Sequence, residues 1–226
     1  MNYLDFLLFG VYPYLAGAVF LLGSLARFER DQFTWKAHSS QMLNNKNMRW
    51  ASNLFHVGIL FLFVGHFVGL LTPPAVFHAL GVSAGAKQIL AIVAGSTAGL
   101  ICFAGLRMLL HRRLTDPRVR ANSSRMDLFI LGLLYAQLIL GLLTVPLSLM
   151  HLDGENMLNL MAWAQNIVIF NPVAAVAAMG EIGFLFKLHM FLGLTIFLVF
   201  PFSRLVHIWS APVTYVTRPY QVVRQR

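Results

Sequence analysis

The chain has 226 residues and a formal net charge of +9; 58% of its residues are hydrophobic and 11% are charged. A water-soluble domain carries about a quarter charged residues, and a mean hydropathy of +0.70 excludes one here. The apolar residues gather in long runs, which satisfy their backbone groups in lipid as helices; the alternation of a barrel is absent.

The expected class is an all-α membrane protein, a five-transmembrane-helix bundle in one domain over residues 1–226. A pI near 10.3 raises nucleic acid as a partner. The arginines and lysines stand at the ends of apolar runs, however, where they set orientation and meet membrane lipid. No nucleic acid is expected. The single cysteine, Cys102, can form no internal disulfide and cannot by itself hold an iron–sulfur cluster. No C-x-x-C-H exists for covalent haem attachment. Cys102 lies inside an apolar run and reads as core packing.

The first apolar segment runs from Phe6 to Ala26. Asp5 precedes it and Arg27 and Arg30 follow it, the reverse of a cleavable signal, so it reads as a retained span with its N-terminus outside (periplasmic). The others are Trp50–Leu71, Gln88–Leu110, Leu128–Leu149 and a longer one, Ile182–Trp209. With this orientation, all but Lys87 and Lys187 of the 17 basic residues fall on the inner side, which places the C-terminus in the cytoplasm. No internal repeat is visible, which counts against an inverted-repeat transporter.

Of the outer connections, the stretch from Thr72 to Lys87 is broken by Pro73, Pro74, Gly81 and Gly85. The other, from His151 to Glu181, contains the apolar run Met157–Phe170. That run is too short to span and suggests an interfacial helix against the outer leaflet. The inner loops and the basic tail from Ser210 onward suit a cytoplasmic partner.

Eight histidines are present. His38, His78, His111 and His151 fall in loops or at segment ends. His56 and His66 lie in the second segment and His189 and His207 in the fifth, where ionisable residues are costly and mark function. His56 and His66 are about 15 Å apart along a helix axis; His189 and His207 are about 27 Å apart and, five turns on, share a face. The two segments run antiparallel. By depth, His66 therefore meets His189 near the outer face, and His56 meets His207 near the inner face. Each pair can supply two axial imidazoles to one haem iron, with the irons roughly 20 Å apart.

A lone intramembrane histidine is accounted for by an interhelical hydrogen bond; four of them, depth-matched two by two, point to two haems. Gly58, Gly65, Gly69 and Gly193 let a macrocycle approach, or let helices pack. Arg204 and Lys187 can pair with haem propionates, or snorkel to the interface.

The stretches ASNLFHVGILFLFVGHFVGLLTP, KLHMFLG and FPFSRLVHIWSAPVTYVTR resemble the gamma, cytochrome b, subunit of the membrane-bound respiratory nitrate reductases. The resemblance extends to YPYLAGAVF, SSQML and RRLTDPRVRA. It implies a subunit with two haem b in the bacterial inner membrane, His66 and His189 binding the distal haem and His56 and His207 the proximal one. It further implies an iron–sulfur (beta) partner and a molybdenum-containing catalytic (alpha) partner that reduces nitrate. Quinol, the substrate of the membrane subunit, is oxidised near the outer side at a site that Lys87 and Gly65 match; Lys187 stands where an arginine is expected. The alternatives are a dihaem quinone-linked subunit of another reductase, of heterodisulfide or sulfite type, a cofactor-free anchor, or a transporter.

Overall fold

The computed structural model describes residues 2–36, 40, 43, 47–211 and 217. His38, Lys46, Arg218, Arg224, Arg226 and most of the basic tail lie outside the described residues. Five helices are long and apolar enough to cross a membrane: Tyr3–Arg30, Met48–Leu71, Ala84–Thr115, Arg125–Leu149 and Phe184–Phe202. Among the described residues there is no strand. The expected all-helical bundle is therefore what forms, with the first four spans longer than their apolar runs because polar residues continue each helix past the hydrocarbon.

Helix ends follow local chemistry. Ser83 caps the third span by accepting from the Ala86 amide at 3.2 Å. At the start of the fourth, Ser124 and Asp127 exchange hydrogen bonds with each other's backbone, a capping box. The second span stops at Leu71 because Pro73 and Pro74 cannot donate to Gly69 and Leu70, four residues back.

The fifth span departs from expectation. Its α-helix ends at Val199, a 3₁₀ turn covers Phe200–Phe202, and Ser203 is extended at φ −114°, ψ 177°. A second 3₁₀ segment, Arg204–Ile208, then carries His207. Pro201 lacks the amide that would continue the α-helix, so His189 and His207 do not share one uninterrupted helix. The Ile182–Trp209 run is a shorter helix followed by a hinge.

The helix inside the His151–Glu181 stretch exists, as Glu155–Val168, but its neighbours are protein. Met161, Trp163 and Ala164 are buried, the last two packing with Phe9, Val176 and Met179. The Trp163 indole donates to the Phe9 carbonyl at 2.9 Å, an acceptor left free by Pro13 four residues on. A short helix, Pro172–Ala177, completes this cap across one end of the bundle.

In the bundle the second span packs on the third, the third on the fourth, the fourth on the fifth, and the fifth on the first. The second and fifth have next to no direct backbone contact. The ring is open between them, and the cap helix bridges it at one end. The second and third spans approach closely at Gly105, against the Phe55 backbone nitrogen, and at Gly58, where a Cβ would lie 2.6 Å from the Cys102 backbone nitrogen. Gly58 thus serves helix packing rather than macrocycle access. Cys102 is fully buried in that contact. We expect Gly58→Ala to cost about 1–3 kcal/mol, the usual range for overpacking. Gly95→Ala on the third span, where nothing lies within 4 Å, should cost nothing; thermal unfolding in detergent compares the two.

Candidate functional site: two facing histidine pairs

The open side of the ring is where the four histidines meet. His66 and His189 face each other with ring centroids 6.2 Å apart and planes at 42°. His56 and His207 do the same at 6.5 Å and 76°. The hinge at Pro201–Ser203 does not prevent the second meeting; the 3₁₀ segment returns His207 to the level of His56. Both depth-derived pairs are brought together.

Three of the four rings are oriented by their own backbone. His56 Nδ1 lies 2.7 Å from the Ser52 carbonyl, His66 Nδ1 2.8 Å from that of Leu62, and His207 Nδ1 2.6 Å from that of Arg204. A carbonyl accepts only, so Nδ1 carries the proton and Nε2 keeps its lone pair for a metal. This is the support that ligating histidines ordinarily have.

His189 is held differently. Its Nδ1 is buried without a hydrogen-bond partner, and its Nε2 lies 3.4 Å from Gln137 Nε2 on the fourth span. A Cβ at Gly141, also on the fourth span, would sit 2.9 Å from His189 Cε1. Neither Gln137 nor Gly141 was singled out from the sequence. The signal for Gln137 was available, a lone amide within an apolar span; Gly141 carries none without knowing which ring faces it.

These residues fit haem iron. Two imidazole nitrogens each about 2 Å from a shared metal place their ring centroids about 6 Å apart, close to both separations. The two spans that carry the rings have next to no direct backbone contact. Gly65 and Gly69 have nothing within 4 Å of a would-be Cβ, so the second span is open beside His66, whereas Gly193 meets Gln137 Nε2 at 3.1 Å. Among the described residues no three His, Cys, Asp or Glu side chains cluster as a bare-ion site; a bis-imidazole site needs only two.

Lys87 is buried at the capped end. Its ammonium donates to the Gly69 carbonyl at 2.8 Å, approaches Met161 Sδ at 2.8 Å and lies 3.8 Å over the Phe77 ring. It lines a very small cleft with Pro74, His78, Leu158 and Met161. Gly65 stands one helical turn before Gly69. Lys187 pairs with Asp5 at 3.2 Å. Arg204 and Arg113 both approach the buried Asp127, at 3.8 Å and 3.7 Å.

The fold and site define an integral membrane protein of five helices that presents paired imidazoles at two levels. The sequence matches the nitrate reductase gamma subunit family over residues 5–226. It is 52% identical over 226 residues to the respiratory nitrate reductase 1 gamma chain of Escherichia coli (strain K12), covering 100% of both chains. With the respiratory nitrate reductase 2 gamma chain of that strain it shares 47% identity, covering 100% of this chain and 99% of the relative. With the nitrate reductase gamma chain of Bacillus subtilis (strain 168) it shares 37% over 220 residues, covering 97% and 98%. The chain belongs to the nitrate reductase gamma subunit family, the membrane subunit of a respiratory oxidoreductase complex.

Asp127→Asn would leave two arginines facing each other without their shared carboxylate. We expect a loss of about 1–3 kcal/mol, below the full cost of breaking a buried pair because the Arg204 side chain keeps 27% exposure. Thermal unfolding of the complex measures it.

Proposed function

We propose that the chain is the quinol-oxidising dihaem b subunit of a nitrate reductase. His66 and His189 are the axial ligands of a distal haem, and His56 and His207 those of a proximal one. The observation that carries the reading is the pair of ring separations, 6.2 Å and 6.5 Å, between the second and fifth spans. The second support is that three Nδ1 atoms are committed to carbonyls, which leaves Nε2 of each with its lone pair for a metal.

The orientation that accords with the arginines places the basic end in the cytoplasm and the capped end outside, in the bacterial inner membrane. Haem, when bound, supplies one-electron carriers at two depths between an outer quinol and a cytoplasmic iron–sulfur partner, which serves the molybdenum subunit where nitrate is reduced.

The protein's own part is placement. Lys87 is a buried cation whose strongest partner is a carbonyl, so a quinol oxygen can take over one of its hydrogen bonds. Met161 must give way for this, because the cleft is too small to admit a quinol ring. Gly65, one turn from the Gly69 carbonyl that holds Lys87, keeps the helix wall flat enough for a ring. Quinol oxidation to quinone releases two electrons and two protons, and at this end the protons leave on the outer side. Lys187 and Arg204 lie two and three residues from His189 and His207. We assign them to the haem propionates, in competition with Asp5 and Asp127.

Pyridine haemochrome analysis and reduced-minus-oxidised spectra of the purified complex should give two b-type haems per copy of this chain. His66→Ala or His189→Ala should leave only the proximal haem, and His56→Ala or His207→Ala only the distal one. Two haems retained in any of these variants would sink the pairing. Lys87→Ala should keep both haems and slow quinol oxidation about tenfold, the scale of one charge-assisted hydrogen bond. An unchanged rate removes Lys87 from the site.

A further inference from the structure

We propose that Arg27, at the inner end of the first span, is a positioning residue for the proximal pair. It acts by fixing the hinge that presents His207. The inference rests on the reading of His56 and His207 as haem ligands.

His207 is separated from the α-helix of its own span by the break at Pro201–Ser203. In an unbroken helix the Pro201 carbonyl would accept from the amide of Leu205. Here that amide donates instead to the Ser203 hydroxyl, at 3.1 Å, so the Pro201 carbonyl needs another donor. Ser203, extended, is the N-cap of the 3₁₀ segment; its carbonyl closes the first turn of that segment and has a second lone pair for a further donor. In a membrane the Pro201 carbonyl cannot be left to water.

A single guanidinium nitrogen of Arg27 serves both. Its Nη1 donates to the Pro201 carbonyl at 2.6 Å and to the Ser203 carbonyl at 2.9 Å. The rest of the fork is engaged on the following loop, Nη2 with the Thr34 carbonyl at 2.6 Å and Nε with the Thr34 hydroxyl at 3.3 Å. Arg27 thus clamps the two sides of the hinge to each other and to the end of the first span.

The first span supports the fifth along its whole length, and the clamp is the last of these contacts. Tyr12 and Thr195 share a hydroxyl hydrogen bond at 2.9 Å. Phe20 packs edge-on against Phe197 and Phe200. A Cβ at Gly23 would meet the Pro201 ring at 3.0 Å, and that close fit brings Arg27 within reach of the carbonyls. One residue past Ser203, the Arg204 carbonyl orients His207, three residues further on. A swing at the hinge would change both the direction of the 3₁₀ segment and the 6.5 Å separation from His56.

The discriminating variant is Arg27→Lys. It preserves the positive charge, and so membrane insertion, but a point ammonium cannot hold four acceptors in a plane. The distal pair, on the far side of the break, serves as the internal control for folding. The experiment is potentiometric titration with low-spin electron paramagnetic resonance on membranes containing the whole complex, wild type beside Arg27→Lys. We expect the proximal haem to be retained about tenfold less well, the scale of one lost charge-assisted hydrogen bond, or to shift its resonance. The distal haem should keep its potential and its signal.

Two unchanged haems in Arg27→Lys would overturn the proposal, and so would parallel loss of both, since that marks a general structural role. A wild-type complex with fewer than two haems would instead fail the ligand reading itself.

Discussion

A backbone carbonyl that loses its helical partner inside a membrane must find another donor within the protein, and this structure is arranged around a few such carbonyls. Pro13 frees Phe9, and the Trp163 indole takes it. Pro73 and Pro74 free Gly69 and Leu70, which accept from Lys87 and from Gln165 at 2.8 Å and 3.0 Å. The break at Pro201 frees the carbonyl of Pro201 itself, and Arg27 takes it together with that of Ser203. Each donor comes from a segment distant in sequence. Satisfying the interruptions therefore ties the cap helix to the first and second spans, the third span to the second, and the first to the fifth.

That wiring explains why the ring of helices can stay open between the second and fifth spans. Apolar packing in lipid gives no hydrophobic driving force for closing it, and the polar ties hold the two spans through their other neighbours. The histidines then face one another across a gap bounded by fixed walls. For His56, His66 and His207 orientation comes at little cost, because a helix offers Nδ1 a carbonyl about one turn back. The third and fourth spans contribute no imidazole to either pair, yet they set the distance between the spans that do.

The five spans were legible in the sequence because twenty-residue apolar runs have few other outcomes. The pairing of histidines was legible because depth along antiparallel helices is simple arithmetic. What was not legible depends on contacts between distant segments. Arg27 read as one more inner-side cation, since nothing local distinguishes an arginine that meets headgroups from one that caps a broken helix. Pro201 was visible, but whether a proline kinks a helix or divides it depends on what accepts and donates around it. The run Met157–Phe170 was expected against lipid for its length and apolarity; its tryptophan and methionine turn out to face protein because a free carbonyl and a buried lysine await them.

The two histidine pairs consequently rest on different supports. In the outer pair, His66 is set by its own helix, while His189 is braced by Gly141 and Gln137 of the fourth span, so its geometry depends on close packing in the middle of the bundle. In the inner pair both rings are set by backbone carbonyls, but one of those carbonyls belongs to a segment beyond a hinge. Its geometry depends on hydrogen bonds at the basic end. Packing and polar clamps respond to different perturbations, volume changes in one case and lost donors in the other. The two pairs can therefore vary independently in how firmly and at what angle they hold their rings, as the difference between 42° and 76° already shows.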